Sequence, residues 1–113
     1  MLLRLGDDPI AFDLFLKRIA NEPVDIVRSA IVFRLYHFMD ALSPQQRENC
    51  RMALQEQTKR DDGGGGSYFA VMLMLADHFP QDAELIKSCL KKNSRLLMEE
   101  QSEMVLETLD KKR

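Results

Sequence analysis

Cysteine, excess charge of one sign, long apolar runs and, outside one spot, glycine are all scarce in this chain of 113 residues. Cys50 and Cys89 are the two cysteines, far apart and each within a helical pattern. With no signal-like segment at the N-terminus, they read as reduced thiols of an intracellular protein, in cytoplasm or nucleus. The net charge is −2, and the balance is even along the chain: nine basic against ten acidic residues in 1–62, seven against eight in 67–113. No strongly basic arm or face results, which argues against a general nucleic-acid binder. The longest apolar run, Tyr68 to Ala76, has nine residues, far below the roughly 20 that cross a bilayer. A chain of this length can close one ordinary core, burying about 65% of its extended surface.

Four of the five glycines stand together at Gly63 to Gly66, followed by Ser67. Clustered glycines give an unrestrained coil, and a compact helical domain has no structural use for four in a row. The run 63–67 therefore reads as an engineered Gly/Ser linker that replaces a loop or joins two chains, with a three-helix segment, 1–62, before it and another, 67–113, packing on the first. It is not a phosphate cradle, which needs Gly-Lys-Ser/Thr after its glycines and a strand before them. Five such residues span about 12 Å on average and about 17 Å at most. The third and fourth helices must therefore meet nearly end to start, as an antiparallel hairpin does.

Apolar periodicity and end signals predict an all-α chain of six helices in three antiparallel hairpins. Asp8-Pro9 opens the first, with Asp8 as N-cap and Pro9 at the first helical position; Ile10, Leu14, Phe15 and Ile19 form its buried stripe, and Asn21-Glu22-Pro23 ends it. A second helix is expected over about 23–42, its apolar residues covering more than half its circumference. Ser43-Pro44-Gln45-Gln46 carries the signature of a capping box at the start of the third, about 44–60, which has a narrow stripe of Cys50, Ala53 and Leu54. Ser67 to Phe79 is apolar almost all round and belongs at the centre of the second half, with Pro80 stopping it. Asp82 is expected to cap a fifth helix lined by Leu85, Ile86, Cys89 and Leu90. Asn93 or Ser94 is expected to cap a sixth whose buried side holds Leu97, Met98, Met104, Val105, Thr108 and Leu109.

The segment Glu22-Pro23-Val24-Asp25-Ile26-Val27-Arg28-Ser29-Ala30 resembles the start of the second helix of HEAT-type repeats, where an Asp, a Val-Arg pair and a small residue recur; the resemblance covers about 9–42. It implies a short HEAT- or armadillo-type solenoid in which Asp25 and Arg28 belong to the polar ladder between stacked repeats. Three hairpins of about 38 residues fit that repeat length. The second half departs from the pattern, since Gln81 to Lys87 has no Val-Arg pair, and a non-repetitive bundle, including the six-helix death-domain architecture, stays open.

No catalytic constellation stands out. His37, His78, Cys50 and Cys89 lack the close pairwise spacing of zinc sites, so neither metal nor cofactor is expected, and neither is an enzyme. Met72 and Met74 read as core filling rather than an adaptable groove. The expected function is non-catalytic protein–protein interaction, within a fragment of a larger intracellular scaffold or complex. Partner-binding candidates are Leu2, Leu3 and Leu5, which nothing nearby covers; Met52, off the third helix's narrow stripe; and Glu99, Glu103, Leu106 and Glu107 on the outer face of the last helix. The partner would be another protein or the missing remainder of the parent chain. The alternative is a nucleic-acid-binding helical module using Arg47, Arg51, Lys87, Lys91, Lys92 and Arg95.

Overall fold

A computed structural model describes residues 9–59 and 65–112, and these are helical with no strand among them. The six α-helices are α1 (Pro9–Asn21), α2 (Asp25–Arg34), α3 (Pro44–Gln57), α4 (Gly65–His78), α5 (Ala83–Lys92) and α6 (Glu99–Lys111). Single 3-10 turns over Leu35–His37, Met39–Ala41, Pro80–Asp82 and Ser94–Leu96 complete the connections.

Helix α4 is the axis of the fold. Ala70, Met72, Met74, Leu75 and Ala76 are wholly buried, and Tyr68, Val71 and Phe79 nearly so. At its N-terminal end Ser67 bonds to Asp25 at the start of α2, and at its C-terminal end His78 meets Tyr36, just past α2, at 5.3 Å between rings. The two helices therefore run side by side in the same direction. Lys112, just past α6, reaches Asp77 near the end of α4 at 3.1 Å, so α6 runs that way too. Helices α3 and α5 run the other way. Arg47, early in α3, bonds the carbonyl of His78 at the end of α4, while Tyr68, early in α4, donates to the carbonyl of Cys89 near the end of α5. The result is a parallel layer α2–α4–α6 backed by α3 and α5, with α1 packed on α2 and α3.

Local chemistry explains most boundaries. Ser43 accepts from the Gln46 amide, and the Gln46 side chain accepts from the Ser43 amide at 2.9 Å, the reciprocal box that starts α3. Pro80, lacking an N–H, stands where α4 has ended.

Several expectations change. The second helix stops at Arg34 and continues as two 3-10 turns, yet Val32, Leu35, Met39 and Leu42 all stay buried. Their spacing of three, four and three residues suits either helix type. In α1 the core takes Phe12 and Ile19, leaving Ile10 and Leu14 exposed. Asp82 precedes α5 but makes no cap bond, because its carboxylate is drawn to Arg51. Helix α6 starts after Met98 rather than after Asn93 or Ser94, with the Met98 amide held by the Gln101 side chain at 2.9 Å, and both Met98 and Met104 are exposed. Gly65, Gly66 and Ser67, placed in the linker from the sequence, are the first turn of α4; residues 60–64 and the expected cap Asp8 lie outside the described residues.

Candidate functional site

The densest polar cluster joins the starts of α2 and α4. Arg28 is 2% exposed, and a buried guanidinium requires partners throughout. Its Nη1 donates to the Glu22 carbonyl at 2.7 Å, its Nε to Ser67 Oγ at 3.2 Å, and its Nη2 lies 3.5 Å from Asp25 Oδ1. The Ser67 hydroxyl and amide both donate to Asp25 Oδ1. Asp25 thus satisfies one of the orphan amides of α4's first turn and sets a negative charge at that helix's positive end. A β-carbon on Gly66 would stand 3.0 Å from Asp25 Oδ2, so the approach of the two helices leaves little room there for a larger residue. The two residues that the HEAT resemblance assigns to a ladder therefore sit at the α2–α4 contact. The sequence reading placed Ser67 where the linker meets the fourth helix and missed that it is their partner.

The opposite end of α4 borders an open groove of about 450 Å³ lined by Pro44, Arg47, Glu48, His78, Phe79 and Gln81. Arg47 donates to the carbonyls of Met39 and His78 and lies over the Phe79 ring, 5.5 Å from its centre. The His78 Nε2 is buried without a hydrogen-bond partner, the nearest carboxylate oxygen, Asp77 Oδ2, standing 3.5 Å away. Burial pushes the His78 pKa below its ordinary value against the opposing pull of Asp77. Burial raises the Cys50 thiol to about 12, against the opposing influence of Arg47, and it raises Tyr36 and Tyr68 to about 12 as well. Among the described residues, no three His, Cys, Asp or Glu side chains gather as a metal site, and no helix is long and apolar enough to cross a membrane.

The partner-binding candidates scatter. Leu2, Leu3 and Leu5 lie outside the described residues. Met52 is exposed on α3, 57% of it accessible. Glu99, Glu103, Leu106 and Glu107 are all exposed along one face of α6, with Leu106 the apolar member. Of the proposed nucleic-acid contacts, Arg47 and Arg51 have internal partners, Arg51 donating to both Asp82 oxygens at 2.9 and 2.6 Å and pairing with Glu48. Lys91, Lys92 and Arg95 are exposed and Lys87 half-buried. Sequence reasoning did not single out Ile26, 76% exposed, or its neighbour Ala30, which line the free face of α2 together with Arg34 and His37. Their spacing of one helical turn marks them as a face, but only the position of α4 shows which face is open. No family model, curated protein or solved structure matches the chain.

Proposed function

We propose that this protein is a non-catalytic protein–protein interaction domain, a short HEAT-like helical module of an intracellular scaffold or complex. The observation that carries the reading is the state of the α2–α4–α6 layer. Its centre is sealed, while α2 and α6 each keep an outward face with an exposed apolar residue, Ile26 on α2 with Arg34 two turns further on, and Leu106 among carboxylates on α6. An apolar anchor within a polar rim is how protein interfaces are built. The parallel layer with antiparallel helices behind it supports the HEAT-like element of the proposal, since stacked hairpins produce that arrangement.

The test is a pulldown from native cell extract with the tagged protein. A stoichiometric protein partner is expected, and Leu106→Asp should weaken its capture at least tenfold, about 1.4 kcal/mol, while helical content and melting temperature stay nearly unchanged. Capture of no protein, combined with turnover of some substrate class by the isolated domain, overturns the reading. Nucleic-acid binding remains the second reading because Lys91, Lys92 and Arg95 are exposed with no ion pair among the described residues. Binding that falls steeply with salt would establish it, and no binding at about 50 mM salt removes it.

A further inference from the structure

We infer that the two open edges of the helical layer fit each other, so that a second copy of this chain docks the α2 face on the α6 face of the first, head to tail. This rests on the interaction-domain reading above and names the partner.

The two faces have the same helical spacing and complementary content. On α2 the exposed positions are Ile26, Ala30 and Arg34, with exposed His37 in the 3-10 turn that follows; on α6 they are Glu99, Glu103, Leu106, Glu107 and Asp110. Ile26, Ala30 and Arg34 step by four residues along α2, as Glu99, Glu103 and Glu107 do along α6, so each set forms one ridge of its helix. The α2 ridge contributes apolar surface and a cation but no carboxylate. Asp25 faces the other way, onto Ser67 and Arg28, and Glu22 is paired with Arg18. The α6 ridge contributes one apolar side chain and four exposed carboxylates. Arg34 has no ion pair among the described residues, and neither do Glu99, Glu103, Glu107 and Asp110, so the complementary charges are not already satisfied within one molecule.

Direction agrees with content. Helices α2, α4 and α6 run the same way, so a second copy that repeats the layer places its α2 parallel to the first copy's α6. The end of α2 carrying Arg34 and His37 then lies beside the end of α6 carrying Glu107 and Asp110, and the small Ala30 faces the middle of the ridge, where Leu106 projects. The join uses different surfaces on the two copies. It therefore leaves a free α2 face at one end and a free α6 face at the other, and growth continues with concentration rather than stopping at a dimer. A contact dominated by one helix pair is small, so the association is weak and salt-sensitive.

Sedimentation velocity from about 1 to about 500 µM at low salt, the range in which weak contacts are populated, tests this directly. The wild-type sedimentation coefficient should rise without a plateau at the dimer, and the rise should diminish several-fold on going from about 50 to about 500 mM salt. Ile26→Asp and Leu106→Asp should each remain monomeric with unchanged circular dichroism. An equimolar mixture of the two should form a dimer and nothing larger, since each variant keeps the one face the other lacks. Should either substitution unfold the chain, Arg34→Glu and Leu106→Gln take their places in the same mixing experiment. Monomeric wild type at every concentration overturns self-docking, as does association that survives both blocking variants or a mixture that stays monomeric. A monomer that still captures a stoichiometric foreign protein leaves the interaction reading standing, whereas a monomer with neither partner nor self-association removes both.

Discussion

The two ends of α4 are both polar, yet they are finished differently. At the N-terminal end, Arg28 has partners on all three of its nitrogens and the Ser67 hydroxyl both donates and accepts. At the C-terminal end, His78 keeps a buried nitrogen with no hydrogen-bond partner, although charged groups surround it. A satisfied buried network fixes the geometry of the elements it joins, whereas an orphaned polar atom is a weak point. The α2–α4 register is therefore set at the glycine-rich start of α4, and the far end is the softer of the two.

The sharpest way to break this contrast is Arg28→Met. It keeps the apolar volume but leaves the Glu22 carbonyl and the Asp25 carboxylate short of a donor, and removing one partner of a buried pair costs about 3 kcal/mol. Urea denaturation should show that loss. Arg28→Lys should recover only part of it, because an ammonium cannot reach three acceptors that lie in a guanidinium's plane. A loss under about 1 kcal/mol would mean that apolar packing alone sets the register.

The second expected effect belongs to the soft end, which is tied down by Asp82 rather than by His78. The Asp82 side chain is 6% exposed and accepts from Arg51 and from Gln55 at 3.2 Å, joining α3 to the start of α5. These bonds drive the Arg51 pKa further upward. Asp82→Ala should cost about 2 kcal/mol, less than Arg28→Met, because Arg51 is exposed enough to regain water. An equal or larger loss would make this end the stiffer one.

A pH series sharpens the comparison further. The folded-state pKa of His78 lies below its unfolded value, first because burial penalises the imidazolium and then because Arg47 and Lys112 repel it, against the pull of Asp77 and Asp40. The unfolded chain then binds the proton more readily, so stability is full above the unfolded pKa, about 6.5, and declines as pH falls through the window below it. His78→Gln should flatten stability against pH between about 7 and about 5, an effect smaller than either substitution above. An unchanged slope would assign the acid sensitivity to other groups.

The sequence made these ends unequally legible, for physical reasons. The Ser43–Gln46 box, the stop at Pro80 and the burial of α4 depend on residues within a turn or two of each other, and all three stand in the structure. On helix α1 the sequence placed Ile10, Leu14, Phe15 and Ile19 on one buried stripe, and packing against α2 and α3 keeps Ile19, adds Phe12 and leaves Ile10 and Leu14 exposed. Asp82 had the sequence context of a cap, but its partner lies 31 residues away. The charged face of α6 was legible because its residues stay exposed in the fold, whereas the exposed face of α2 was hidden by an apolar pattern covering more than half the helix, which looked buried on more than one side. The largest miss was the partners of Ser67, which the sequence set at the junction of the linker and the fourth helix. A serine after four glycines reads as spacer until Asp25 and Arg28 are seen on either side of its hydroxyl.

The smallest expected effect comes from Gly66, where two opposing terms nearly cancel. Replacing a helical glycine by alanine gains about 0.5–1 kcal/mol, because glycine loses more backbone freedom on folding. Here the new β-carbon would stand 3.0 Å from Asp25 Oδ2, so the carboxylate must give by a few tenths of an ångström while its other oxygen is held by the Ser67 amide and hydroxyl. Gly66→Ala alone should therefore change stability by less than about 0.5 kcal/mol in either direction. Asp25→Ser removes the obstacle, and in that background the same substitution should stabilise by the full propensity difference, about 1 kcal/mol. The coupling between the two positions, read as a double-mutant cycle in urea, measures how firmly Asp25 is fixed at the start of α4. Zero coupling would show a carboxylate free to swing aside, and the N-terminal end of α4 would then be no stiffer than the end that carries His78.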